Sequence, residues 1–99
     1  MDSKIRQYLE GLLAEAGHDH LPVEVREQLI ADLNVRLEQR LILAAVSGMS
    51  ERKQAEFEAL TEKNPSKEVV EKFVRDNVVN PDMVFKKAFT DFRTIYLGA

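Results

Sequence analysis

The sequence contains no cysteine, and only three of its 99 residues are proline. Without cysteine the chain can form neither a disulfide bond nor a thiolate-ligated zinc site. The absence of disulfides fits a reducing compartment, and we expect the protein to be cytoplasmic. Each proline lies where a helix is predicted to begin, so none interrupts a predicted helix.

Long apolar runs are also absent, and the longest uninterrupted one is Leu41–Val46. A membrane-spanning helix needs ~20 predominantly apolar residues. The first residues carry charges that no apolar run follows, which is not the pattern of a signal peptide. We therefore expect no membrane partner.

Positive charge is not concentrated anywhere in the chain. The 14 lysines and arginines are set against 17 aspartates and glutamates, which gives a formal net charge of −3. A basic block would attract nucleic acid or an anionic membrane over a long range. Its absence argues against nucleic acid as a partner.

The sequence does have helical periodicity. Its content of 44% hydrophobic and 31% charged residues is typical of a globular protein. In five segments, apolar residues recur at the i, i+3, i+4, i+7 spacing of one helix face. We predict a single all-α domain over residues 1–99, a compact bundle of about five helices around a long central second helix. The predicted helices cover about residues 3–16, 22–47, 50–62, 65–77 and 81–96.

Four residues bear on the expected geometry of the first helix. Asp2 or Ser3 can cap its start by accepting hydrogen bonds from the first free amides. Gly17 can end it, because glycine adopts a left-handed conformation without a Cβ clash. Gly11 lies inside the helix, where glycine is unfavourable, and a close helix crossing would explain it.

Two Asn-Pro pairs predict later helix starts. In Asn64-Pro65 and in Asn80-Pro81, the asparagine is expected to cap a helix and the proline to be its first residue. The helix between residues 50 and 62 has few large apolar residues, so we expect it to lie on the surface.

The long second helix carries two apolar stripes. The stripe expected to face the core consists of Leu29, Ile30, Leu33, Leu37, Leu41 and Ala44. The other stripe lies on roughly the opposite side, so the second half of the helix is apolar nearly all round. Such a helix must be buried somewhere. Either the other helices wrap it completely, or a protein partner, which can be a second copy in a homodimer, covers one side of it. The predicted interaction surface consists of Val35, Arg40, Ile42, Leu43 and Val46.

Arg40 is the unusual charge, because a helical wheel places it among apolar residues. Burying a guanidinium is costly unless it is paired and hydrogen-bonded. In one interpretation its stem covers apolar surface while its head reaches solvent or a carboxylate. In the other it clamps an anion or a carboxylate of the partner.

The run His18-Asp19-His20 is the only histidine cluster. Two imidazoles and a carboxylate are plausible ligands of zinc or nickel. The sequence offers no further histidine or cysteine, which favours a polar loop over a metal site. We expect no cofactor.

No residues of the sequence form a recognisable catalytic constellation. Neither Glu10 with Glu15 nor Glu56 with Glu62 is placed in a predicted apolar cleft, which a perturbed pKa would require. A phosphate-binding glycine loop and a nucleophile elbow are both missing. We expect no enzymatic activity.

The third and fourth helices, joined by a short turn, also fit a helix-turn-helix. The fourth carries three basic and three acidic residues, whereas a helix that faces phosphates should be basic. These residues are Lys67, Lys72 and Arg75 against Glu68, Glu71 and Asp76. Because the helix pattern fits but the charge does not, a nucleic-acid-associated regulator is the alternative function and not the leading one.

Five segments resemble a family of short bacterial all-helical proteins known only as a domain of unknown function. The segments are LPVEVREQLIADL, RLEQRLILAAV, EFEALTE, EVVEKFVRDNV and NPDMVFKKAF. The resemblance covers about Leu21 to Tyr96 and implies the same helical fold. It implies no activity. Our leading functional hypothesis is therefore a non-catalytic module for protein–protein interaction or self-association.

Overall fold

The computed structural model describes residues 2–98, which form five α-helices and no strand. The helices are α1 (Ser3–Glu15), α2 (Val23–Ser47), α3 (Glu51–Thr61), α4 (Lys67–Asn77) and α5 (Pro81–Leu97). The prediction of an all-α chain with a long second helix is confirmed. Among residues 2–98, no helix is both long and apolar enough to cross a membrane.

The helices fall into two compact units. Unit 1 contains residues 2–39 and 89–98, and unit 2 contains Arg40–Ala88. Two helices, α2 and α5, therefore contribute residues to both units, while α1 belongs to unit 1 and α3 and α4 belong to unit 2.

Both predicted ends of α1 are confirmed. The side chain of Asp2 accepts hydrogen bonds from the backbone amides of Lys4, at 2.8 Å, and Ile5, at 3.3 Å. At the other end Gly17 has a φ of +79°. The backbone amide of His18 donates to the carbonyl of Leu13 at 2.8 Å, which is the long bond of a Schellman motif.

The asparagines of both Asn-Pro pairs have a positive φ. Asn64 has a φ of +50° and ends the turn after α3, while Ser66 caps α4 by accepting from the amide of Val69 at 3.3 Å. The prediction for Asn64-Pro65 is therefore wrong, because the serine hydroxyl is a better-placed cap. At the second pair, Pro81 is the first residue of α5, as predicted. Asn80, the predicted cap, has a φ of +51°, whereas a capping residue usually has an extended backbone.

The core of unit 1 is formed by three helices. Its buried apolar side chains come from α1, the first part of α2 and the last part of α5: Leu9, Leu12, Leu13, Ile30, Leu33, Leu37 and Phe92. The hydroxyl of Tyr8 on α1 donates to the carbonyl of Phe89 on α5 at 2.5 Å, and their rings meet edge to face at 5.0 Å. An ion pair of 2.9 Å between Glu15 and Arg93 also joins these helices.

Unit 2 has a smaller core, formed by buried Ala45, Met49, Val74 and Ala88. No residue of α3 is buried, as expected for a surface helix, but Phe57 of α3 packs its ring against Phe73 of α4 at 5.7 Å. The buried position near the end of α2 is Ala45 and not the predicted Ala44, which is only half-buried.

Gly11 lies on an exposed part of α1, and a Cβ atom added there would have no atom within 4 Å. The expectation of a close helix crossing is therefore wrong. We predict that Gly11→Ala raises the free energy of unfolding by about 0.5–1 kcal/mol, because alanine loses less backbone entropy in a helix. Urea denaturation measures this change. The matched variant Gly17→Ala should lower the free energy of unfolding, since alanine is strained at positive φ.

Candidate interaction surface

Four of the predicted surface residues lie together on α2 in unit 2. Leu43 is 63% exposed, Arg40 is exposed, and Ile42 and Val46 are half-buried. Residues three or four positions apart are neighbours on a helix surface, so Arg40 adjoins Leu43, Leu43 adjoins Val46, and Val46 adjoins Ile42. We call these four residues the α2 patch.

The fifth predicted residue, Val35, is 53% exposed on α2 and belongs to unit 1. Val35 is therefore not part of the α2 patch. Its exposure sets it apart from Leu33 and Leu37 on the same helix, both of which are buried.

Arg40 has its side chain in solvent. It forms no hydrogen bond and no ion pair with any of residues 2–98. Within unit 2, Arg40 lies five residues before buried Ala45, which is about 140° away around the helix. Arg40 therefore faces away from the side of α2 that is buried in unit 2.

The histidine loop contacts α5 through the side chain of His18. The Nδ1 atom of His18 and the hydroxyl of Tyr96 are 3.1 Å apart, and the two rings meet edge to face. Within residues 2–98, no three or more histidine, cysteine, aspartate or glutamate side chains are grouped closely enough to hold a metal ion. A metal at His18 and His20 remains a hypothesis.

Three of the four carboxylates considered for catalysis, those of Glu10, Glu15 and Glu56, lie beside cations. Arg6 binds Glu10 through Nε at 2.8 Å, and Glu15 pairs with Arg93. Lys53 lies 3.1 Å from Glu56 and, through this hydrogen bond and its charge, holds the pKa of that carboxyl below its usual value. A lowered pKa keeps a carboxylate ionised, whereas a general acid at neutral pH needs a raised one.

The helix-turn-helix hypothesis rests on α3 and α4, which contact each other in unit 2. Three acidic and three basic residues are interspersed on α4, and Lys67 lies 3.8 Å from Glu71. An acidic neighbour reduces the attraction of a lysine for phosphate. Nucleic-acid binding remains the alternative prediction.

The fold is that of a small all-α protein. The chain belongs to the family described as "Protein of unknown function (DUF5663)", whose model matches residues 12–96. This match confirms the resemblance and extends its start from Leu21 back to Leu12. No curated protein and no solved structure matches the chain.

Proposed function

We propose that this protein acts through protein–protein contact, without catalytic activity of its own, and that the α2 patch is its contact surface. The observation that supports the proposal is the exposure of Leu43 beside Arg40, which has no partner among residues 2–98. Arginine is enriched at interfaces, where its planar guanidinium can bind a carboxylate of the partner. Burying an exposed leucine side chain stabilises a contact by about 2 kcal/mol.

The proposed partner is a second copy of the chain. A two-fold contact presents the same surface of both molecules, so one patch is sufficient for association. Leu43 and Val46 of each copy would then be covered by the apolar residues of the other. The cysteine-free sequence supports the further proposal of a cytoplasmic location.

We predict that Leu43→Glu weakens self-association at least about tenfold without unfolding the chain. The glutamate replaces a side chain that is exposed in the single chain, but in the dimer it would have to be buried as an uncompensated charge. Sedimentation velocity over a micromolar concentration series measures the association, and far-UV circular dichroism measures the helix content.

The control is Val69→Glu, which places the same charge on α4, at an apolar position that is 45% exposed and outside the α2 patch. This variant should associate like the unmodified chain. An unmodified chain that stays monomeric throughout the series would contradict self-association. Equal loss of association in both variants would contradict the assignment to the α2 patch.

A further inference from the structure

Unit 1 contains a cavity that is distinct from the α2 patch. It lies between α1, the loop that follows α1, and the first turns of α2, and its volume is about 410 Å³. Ligand-binding cavities in proteins fall in this size range. Its lining consists of Glu10, Leu13, Asp19, Arg26, Glu27 and Ile30.

Arg26 is the basic residue of the lining, and its side chain is half-buried. Its Nε atom has no accessible surface and no hydrogen-bond partner among residues 2–98. Because Nε is enclosed, a ligand in the cavity would meet the two terminal Nη groups of the guanidinium instead. An arginine binds a carboxylate through two parallel hydrogen bonds, and these two groups can donate them.

Two of the three carboxylates in the lining already form ion pairs within the chain. Arg6 forms ion pairs with both Glu10 and Glu27. The hydrogen bond from Arg6 lowers the pKa of the Glu27 carboxyl, and the charges of Arg6 and Arg26 lower it further, so Glu27 is ionised at neutral pH. Glu27 therefore supplies negative charge near Arg26, but its ion pair is with Arg6.

The third carboxylate is that of Asp19, in the loop. Among residues 2–98 it forms no hydrogen bond and no ion pair. The cavity therefore has one cation and one anion, Arg26 and Asp19, that lack such partners, together with the buried apolar side chains of Leu13 and Ile30. A ligand complementary to this lining carries one negative charge, one positive charge and an aliphatic group. A second negative charge on the ligand would be repelled by the three carboxylates.

We propose that this cavity binds a free aliphatic α-amino acid. The guanidinium of Arg26 binds the ligand carboxylate, Asp19 accepts hydrogen bonds from the ligand ammonium, and Leu13 and Ile30 contact the aliphatic side chain. This proposal does not depend on the α2 patch, and either can fail without the other.

The test is an NMR titration of the ¹⁵N-labelled chain with L-leucine. We expect saturable shifts of backbone amides around the cavity, with a Kd of about 1 mM. Two matched compounds test the contributions of the ligand ammonium and the ligand carboxylate one at a time. 4-Methylpentanoate lacks the ammonium and should bind about tenfold more weakly, while leucinamide lacks the carboxylate and should not saturate. N-acetyl-leucine, which imitates the C-terminus of a peptide, should bind as weakly as 4-methylpentanoate.

Variants assign the binding to the named side chains. Arg26→Gln should weaken the binding of L-leucine by at least about tenfold, which is the loss expected for a charge-assisted bidentate contact. Arg36→Gln, which changes an exposed arginine of α2 outside the cavity lining, should bind L-leucine as the unmodified chain does. Asp19→Asn should weaken L-leucine but leave 4-methylpentanoate unchanged, and because Asp19 is exposed this variant should fold normally.

Three results would overturn the proposal. The first is the absence of saturable shifts up to about twenty times the expected Kd. The second is equal binding of L-leucine and 4-methylpentanoate, which would show that Asp19 does not bind the ligand ammonium. The third is unchanged binding in Arg26→Gln, which would place the ligand elsewhere.

Discussion

Replacing Leu37 with alanine should lower the free energy of unfolding by about 3 kcal/mol. The side chain is fully buried, with 0% of its surface exposed, in the core of unit 1. Truncating a buried leucine removes its transfer free energy and leaves a cavity that the surroundings only partly fill. Urea denaturation followed by circular dichroism measures the loss, and the slope of the transition should stay unchanged.

The matched control is Val35→Ala, two residues earlier on α2. Because Val35 is about half exposed, its truncation should change the free energy of unfolding by less than about 0.5 kcal/mol. Equal destabilisation by the two variants would contradict the orientation of α2 described for unit 1.

The second large effect is expected for Ala45→Glu. Ala45 is completely buried in unit 2, so the glutamate would be a buried charge without a partner. We expect a loss of more than about 3 kcal/mol, seen as a lower Tm and reduced helix content. Burial raises the pKa of a carboxyl above its value in the unfolded chain. The variant should therefore be less destabilised at pH 4 than at pH 7, because stability falls as pH rises through that raised pKa.

The neighbouring variant Ala44→Glu is the control. Ala44 is only half-buried, so the new carboxylate can remain hydrated and the loss should be clearly smaller. A Tm of Ala45→Glu equal to that of the unmodified chain would show that this side of α2 is open to solvent.

The helices of this chain could be predicted from the sequence, because the apolar spacing and the end signals agree. Gly17 and Pro81 are examples, since each occupies the helix end at which its backbone is most favourable. At residues 64–67 two signals compete. Asn64 can adopt the left-handed conformation and so end one turn, which leaves Ser66 to cap the next helix. The sequence shows both options but not which one prevails.

The sequence predicts which side of α2 is buried only for the first half of the helix. There, steps of three and four residues alternate, and the buried positions include Ile30, Leu33 and Leu37. In the part of α2 that belongs to unit 2, Ala45 is buried and Leu41 is half-buried. Because residues 41–46 are all apolar, their pattern cannot distinguish a face that contains Ala44 from one that contains Ala45.

The cavity of unit 1 could not have been found from the sequence. Its charged residues, Glu10, Asp19, Arg26 and Glu27, come from two helices and a loop. No fixed spacing relates them, and each is an ordinary surface residue by type. What distinguishes Arg26 is a donor without an acceptor, a property of the folded chain alone. By contrast, four of the five predicted surface residues are neighbours on α2, because a single helix carries them all.

The composition of unit 1 has a consequence for the order in which the chain matures on the ribosome. Unit 2 is one continuous stretch, so all of it has been synthesised before residues 89–98, which unit 1 still requires. Tyr8 and its acceptor Phe89 are 81 positions apart. At about 5–20 residues per second, α1 waits roughly 4–16 seconds for α5. During that interval the apolar face of α1 lacks the part of its cover that α5 supplies.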